Sequence, residues 1–323
     1  MMRTALIILL LVSFNLAPAR QPVPEPYGDL GDGTYRNPVL VGPAGDVAVC
    51  KVGTDYYSTH GRSLDIWHSR DLLTWEKIAD LDAAGRGSIW APDLVHVGGR
   101  YFVYTTLVDR DRPSGTQFDN VVYWADNPAG PWHGPRSLNL FGMIDPGLLV
   151  DKAGNRWLYF NKGRVAKLAD DGLSAIGPVR SAYDGWQYPE DWEVECFCLE
   201  APKFAIRGKY YYMLSAEGGT KGPPTAHMVV VARSESPLGP WENSPHNPLV
   251  RTWSADEAWH RQGHGEFTTD AAGNWWMLYT GYNEEVGRGK ITLLAPVEWT
   301  GDGWPVIPGD FDINQPWPSP KTD

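Results

Sequence analysis

The sequence predicts an all-β protein, a five-bladed β-propeller folded as a single domain, and two recurring patterns carry that expectation. The first is a glycine turn followed at once by two adjacent aromatic or apolar residues. It occurs five times: Gly53 before Tyr56-Tyr57, Gly99 before Tyr101-Phe102, Gly154 before Trp157-Leu158, Gly208 before Tyr210-Tyr211, and Gly273 before Trp275-Trp276. The copies stand 45 to 65 residues apart. The second pattern is a strand-like run leading through a turn to a tryptophan, as in Ile66-Trp67-His68-Ser69 to Trp75, Tyr123-Trp124-Ala125 to Trp132, and Val230-Val231-Ala232-Arg233 to Trp241. A unit of roughly 40 to 50 residues holding about four strands cannot bury both faces alone and must stack on its neighbours, which is the signature of a propeller blade.

Within each unit the elements follow in a fixed order. A short β-rich run comes first, such as Val47-Ala48-Val49-Cys50-Lys51-Val52 or Leu94-Val95-His96-Val97, and the glycine turn returns the chain into a second run such as Tyr210-Tyr211-Tyr212-Met213-Leu214. Two β-rich runs joined by a glycine turn read as a hairpin. The third strand follows, and Trp75, Trp132 and Trp241, which repeat with the units, read as packing plugs.

An acidic residue stands a few positions upstream of every glycine turn: Asp46, Asp93, Asp145, Glu200 and Glu266. The first strand of each blade lines a propeller's central channel, so equivalent ends of these strands meet although they are distant in sequence. Asp46, Asp145 and Glu200 are therefore expected at one mouth of the channel. Carboxylates gathered in a concave site repel one another, which raises one pKa and leaves another group ionised, the requirement for acid and base chemistry. Taken singly, each acid also suits a turn, where it would accept hydrogen bonds from its own backbone. Recurrence in register argues for the catalytic reading, as do the apolar and proline flanks of Ile144-Asp145-Pro146-Gly147 and Leu199-Glu200-Ala201-Pro202.

The rest of the chain bounds the function. Residues 1–19 read as a signal peptide, with Arg3 supplying charge, an apolar run from Ala5 to Leu16, and Ala17-Pro18-Ala19 at the cleavage spacing. That run is too short to span a bilayer. Residues 20–32 form a Pro-rich leader and residues 33–323 the catalytic domain, giving a secreted or periplasmic protein with no membrane contact after signal removal. The 323 residues carry 39 acids against 28 bases, a formal charge of −11. This excess argues against nucleic acid and anionic membranes and for a neutral substrate bound by a monomer. Cys196 and Cys198 are too close to bridge comfortably in an extended strand, and a pair between Cys50 and one of them remains open. Three thiols at this spacing make a poor metal site. Among the 16 tryptophans, Trp90, Trp186, Trp192, Trp253 and Trp259 fall outside the repeat, and Trp90 is the foremost candidate to stack on a sugar ring.

Seven stretches in order make the chain resemble glycoside hydrolase family 43, a five-bladed propeller family of β-xylosidases and α-L-arabinofuranosidases. They are Gly33-Thr34-Tyr35-Arg36-Asn37-Pro38-Val39 leading to Asp46, Trp90-Ala91-Pro92-Asp93, Ile144-Asp145-Pro146-Gly147, Glu200-Ala201-Pro202-Lys203, Ser215-Ala216-Glu217-Gly218-Gly219-Thr220, Gly263-His264-Gly265 and Gly287-Arg288. The resemblance implies that Asp46 is the general base, Glu200 the general acid, and Asp145 the group that orients the acid and holds its pKa up. Asp46 is carried by position, because Val47-Ala48 follows it where most relatives have Pro and then a small or acidic residue. The resemblance further implies that Arg288 and Glu217 contact substrate, and that His264 lies beside substrate and a structural Ca²⁺ in the channel, with no other cofactor required. The expected reaction is inverting hydrolysis of a β-xyloside or α-L-arabinofuranoside in plant-type saccharides. A non-catalytic carbohydrate-binding propeller and a galactofuranoside- or fructan-active relative are the other readings.

Overall fold

Each glycine turn closes an antiparallel hairpin, and Gly53, Gly99, Gly154, Gly208 and Gly273 all hold φ between 59° and 85°, a region that a β-carbon disfavours. A computed structural model describes residues 24–42, 45–81 and 87–322. The expected signal peptide, residues 1–19, and residues 20–23 of the leader lie outside the described residues.

The hairpins open five antiparallel sheets in which the strands follow chain order. The first sheet holds Ala48–Val52, Asp55–Thr59, Asp65–Ser69 and Glu76–Asp80. The second holds Ser88–Val97, Arg100–Val108, Phe118–Ala125 and His133–Phe141, and the third Gly147–Val150, Arg156–Phe160, Arg164–Leu168 and Ala175–Ser181. The fourth consists of Glu200–Arg207, Tyr210–Glu217, Met228–Ser234 and Glu242–Asn243, with Val250–Arg251 added beside Met228–Ser234. The fifth holds His260–Thr269, Trp275–Tyr282, Lys290–Trp299 and Pro305–Val306. Among the described residues the only helical element is the 3₁₀ turn Asn161–Gly163.

The adjacent apolar pairs after the turns follow from strand geometry. Successive side chains point to opposite faces, so a sheet covered on both sides needs apolar residues at consecutive positions. Tyr56 and Trp276 enter a cluster shared by the first and fifth sheets, while Tyr57 joins one shared by the first and second. Phe102 and Leu158 meet between the second and third sheets, and Tyr211 packs with Tyr159 between the third and fourth. Tyr210 and Trp275 pack on the cluster between the fourth and fifth. The five clusters thus cover the sheet pairs in cyclic order, the last pair joining the fifth sheet to the first. The tryptophans at the outer ends fill the same interfaces: Trp75, Trp132 and Trp241 pack on three of the five clusters.

A buried polar knot ties the first strands together. Lys203 Nζ donates to Asp93 Oδ1 at 2.6 Å and to Pro92 O at 2.7 Å, and lies 3.9 Å from Glu266 Oε2. The other oxygen of Asp93 accepts from Leu148 N at 2.7 Å, and Glu266 Oε2 accepts from Val49 N at 2.8 Å. Every sheet contributes at least one group. The Lys203 and Asp93 side chains are only 4% and 3% exposed, so neither charge has water to replace its partner.

The end of the expected leader pairs into the fold: Gly28–Asp29 pairs with Thr34–Arg36, which pairs in turn with Trp317–Pro318, and Arg36 Nη1 donates to Pro26 O at 2.8 Å. One expectation, that for the cysteines, is corrected. Cys196 and Cys198 are joined in a disulfide, and Cys50 is free. The reasoning from an extended strand fails because these residues lie in a loop, where Cys198 N donates to Cys196 O at 2.8 Å and the Cα atoms approach to 5.3 Å.

Removing one partner of a buried pair leaves an uncompensated charge, so Lys203→Met is expected to cost about 3 to 5 kcal/mol. Lys203→Met/Asp93→Asn should recover part of this. Urea unfolding followed by tryptophan fluorescence measures both; a loss under about 1 kcal/mol for the single variant would contradict the role given to the knot.

Candidate active site

The five repeat acids separate into two layers. Asp93 and Glu266 sit inside their strands and belong to the buried knot, whereas Asp46 and Asp145 precede their strands and Glu200 begins its own. These three line one cavity of about 800 Å³, together with Trp90, His264, Arg62, Arg261, Lys221, Tyr282 and Lys290. The expected convergence of Asp46, Asp145 and Glu200 is therefore observed, across the first, third and fourth sheets.

The backbone around them is unusual. Asp46, Asp145 and His264 hold φ of 55°, 57° and 51°, and Ala201, next to Glu200, holds 49°. Non-glycine residues in the left-handed region are uncommon and cluster where the fold over-determines a side chain's direction. Tertiary contacts do so here: Asp46 N donates to Thr280 Oγ1 at 3.0 Å, and Asp145 N to Thr106 Oγ1 at 3.2 Å. β-Bulges interrupt the first strands at Trp90/Asp93, Glu200/Lys203 and Gly263/Glu266, and so let one strand aim one residue into the cavity and another into the knot.

His264 stands between the acids. Its Nδ1 is 3.3 Å from Asp46 Oδ1 and its Nε2 is 3.8 Å from Glu200 Oε1. His227 Nε2 approaches the same Glu200 oxygen at 3.4 Å. Glycine precedes His264 because a β-carbon at Gly263 would lie 2.2 Å from the His227 ring. Lys290 Nζ donates to Asp46 Oδ1 from the start of the third strand of the fifth sheet.

These neighbours set the charges. Burial alone would raise the Asp46 carboxyl, but Lys290, with His264 and His227, outweighs it and holds the group at about 2. Burial opposes ionisation of Glu200 as well, yet the two imidazoles beside it keep its carboxyl far below the ordinary range. Asp145 is pushed well above that range by burial and by the charges of Glu200 and Asp46. This reverses the expectation that Asp145 stays ionised and keeps Glu200 protonated. The cause is the pair of histidines, which face Glu200 and were not foreseen as a pair.

The remaining candidates divide. Trp90 lines the cavity, and Arg288 lines an adjoining recess of about 310 Å³ that shares Asp46, Arg62 and Lys290 with it. Glu217 does not reach the cavity. It is 1% exposed, its Oε1 accepts from Trp186 N at 2.7 Å, and burial pushes its carboxyl up to about 8. Its place under the loop that carries Trp186 makes it an anchor for that loop rather than a sugar contact. Trp259 is core, 1% exposed, with Nε1 donating to Asn314 Oδ1 at 3.2 Å. Trp186, Trp192 and Trp253 form an aromatic cluster beside the disulfide loop. Sequence reasoning missed Lys290, two positions beyond Arg288, and His227, which stands outside any repeat.

The fit of Ca²⁺ to His264 is poor. Glu200, His227 and His264 offer ligand atoms within 4.8 Å of one another, but two imidazoles and one carboxylate are a nitrogen-rich set suited to a transition ion, whereas calcium takes six to eight oxygens.

Comparison with known proteins agrees with the resemblance read from the sequence. The family model described as glycosyl hydrolases family 43 matches residues 35–305. The non-reducing end alpha-L-arabinofuranosidase BoGH43B of Bacteroides ovatus is 30% identical over 90% of this chain and 57% of its own length. The crystal structure of the GH43 BlXynB protein from Bacillus licheniformis superposes with a TM-score of 0.77 at 28% identity, covering 89% of this chain and 58% of that one. That of a thermostable family-43 glycoside hydrolase shares the fold at 21% identity and a TM-score of 0.72, covering 92% of this chain and 100% of that one. The chain spans little more than half the length of the curated relatives it matches. With the family model spanning all five sheets and the three carboxylates gathered as its motifs imply, the chain belongs to the family 43 glycosyl hydrolases.

Proposed function

We propose that this chain is the catalytic domain of an inverting O-glycosidase acting on pentose glycosides, β-xylosides or α-L-arabinofuranosides, and that its five sheets are the blades of a five-bladed propeller. The observation that carries the reading is the meeting of Asp46, Asp145 and Glu200, from three sheets, in one cavity, with the His264 ring set between the first and the last. The cyclic succession of apolar clusters supports the closed ring. In keeping with the relatives' names, the substrate is a carbohydrate; action outside the cytoplasm and a monomeric state are carried over from the sequence, from the signal-like residues 1–19 and the net charge of −11.

Asp46 is the base. Ionised beside Lys290, it takes a proton from a water molecule as the oxygen of that water bonds to the anomeric carbon. Glu200 is the acid: it gives a proton to the glycosidic oxygen as the bond from that oxygen to the anomeric carbon breaks. An inverting site keeps the two carboxyls about 6.5 to 9.5 Å apart so that water fits between base and sugar, and the interposed imidazole of His264 supports a separation of that order. The proton that Glu200 delivers belongs to the Asp145–Glu200 pair as a unit, since two coupled carboxyls titrate together.

Glu200→Gln and Asp46→Asn should each lower kcat by about 10² to 10⁴ on nitrophenyl pentosides, the usual worth of a positioned acid or base. Proton NMR of the first product released should show the inverted anomer; initial retention would overturn the mechanism.

Lys290→Met removes the main group holding Asp46 down, leaving burial to raise it. Because the base must be ionised, the acid limb of kcat/KM should move to higher pH by about one unit or more, with the alkaline limb little changed. A pH profile of wild type and variant with coincident acid limbs would remove Lys290 from the account.

A further inference from the structure

The cavity is more positive than its acids require. Its walls carry Arg62, Lys221, Arg261 and Lys290 against Asp46, Asp145 and Glu200, and the adjoining recess adds Arg288. The ratio is five bases to three acids in a chain where acids outnumber bases 39 to 28. Lys290 is paired with Asp46. Among the described residues, Arg62, Lys221, Arg261 and Arg288 have no carboxylate partner. Arg261 lays its guanidinium over the Tyr282 ring at 4.5 Å, and its Nε is buried without a hydrogen-bond partner. Arg62 and Arg261 also hold left-handed backbone, φ 80° and 47°, like the acids they face.

The recess is the most one-sided part. Arg62, Arg288 and Lys290 line it with four glycines, Gly42, Gly45, Gly61 and Gly289, and Asp46 is its single acid. Small residues there leave room for a ligand group beside the base. Two unpaired guanidiniums present planar forks that match a carboxylate or sulfate in two-point contacts.

We propose that the site takes an anionic glycoside, one whose sugar carries a carboxylate or a sulfate ester, with the oxyanion held by Arg62 and Arg288 in the recess next to Asp46. This deepens the glycosidase reading and rests on it. It departs from the neutral substrate suggested by net charge. Screening limits an exposed charge to roughly 8 Å at physiological salt, so a bound sugar responds to the cations around it rather than to the sum over the chain. A cleft lined by one sign also focuses its field on the entering ligand.

The test compares three xylo-oligosaccharides, one with a glucuronosyl substituent, one sulfated and one undecorated, on the full chain. One anionic form should exceed the neutral one about tenfold in kcat/KM, the worth of a charge-assisted contact, and its identity tells carboxylate from sulfate. Raising salt should shrink the ratio, and Arg62→Gln/Arg288→Gln should bring it to about one, with Arg62→Lys/Arg288→Lys restoring part of it. A wild-type ratio of one or below, with the neutral substrate hydrolysed, would overturn the inference and leave the glycosidase reading standing. Calorimetric binding to Glu200→Gln separates the two further. Tighter binding of an anionic form, with no hydrolysis by the wild type either of these or of nitrophenyl xylosides and arabinofuranosides, would uphold the anion site and sink the glycosidase. Binding of none of the three would overturn the anion site as well.

Discussion

A four-stranded sheet that is apolar on both faces must be covered on both, and most of the architecture follows from that. The doublets after each glycine turn put one large side chain on either face, as Tyr56 and Tyr57 do in the first sheet and Trp275 and Trp276 in the fifth. No sheet can sit at the end of such a stack without exposing one member of its pair. The proposed ring would remove the exposed ends, and the cluster of Val47, Val49, Trp276 and Leu278 lies between the fifth sheet and the first.

Gathering the first strands has an electrostatic consequence, because acids at repeated positions are brought together. The protein answers it in two layers. Below, the cation of Lys203 and two backbone N–H groups satisfy Asp93 and Glu266, so that charge is spread over all five sheets. Above, Asp46 and Glu200 are met by Lys290, His227 and His264, and Asp145, without such a partner, is pushed well above the ordinary carboxylate range. The spacing is shared: Asp46 and Val49, Trp90 and Asp93, Asp145 and Leu148, and Glu200 and Lys203 each place a cavity residue three positions before a member of the knot. The bulges supply the change of direction, at the cost of left-handed backbone beside the chemistry.

The electrostatic arrangement explains why three carboxylates in one hollow are compatible with a folded chain. Each buried charge is costly alone and tolerable beside an opposite one. Lys290 and His264 both approach Asp46 Oδ1, leaving Oδ2 toward Gly61, where a β-carbon would lie 2.9 Å away. Asp46 thus has one oxygen engaged and one with space before it. The imbalance left after this pairing is positive and belongs to the arginines, which among the described residues have no carboxylate partner and line the space that a ligand would fill.

Local sequence determined the hairpins, the five units and the identity of the acids, because turn geometry and two-faced burial leave their mark on consecutive residues. Asp46, Asp145, Glu200, Trp90 and His264 were all legible, since each stands at a repeat position or in a motif of the family. Glu217 was misread because its motif looked the same whether the side chain faced the cavity or the underside of a loop. The disulfide was missed because a two-residue spacing is short only for an extended chain. Lys290, His227 and Arg261 declared nothing in the sequence, since what makes them matter is a partner more than twenty residues away or, for Arg261, the lack of a carboxylate partner among the described residues. The opposite shifts of Asp145 and Glu200 likewise come from the tertiary structure alone: they depend on burial and on charges a few ångströms off, and neither is a property of the residues next in line.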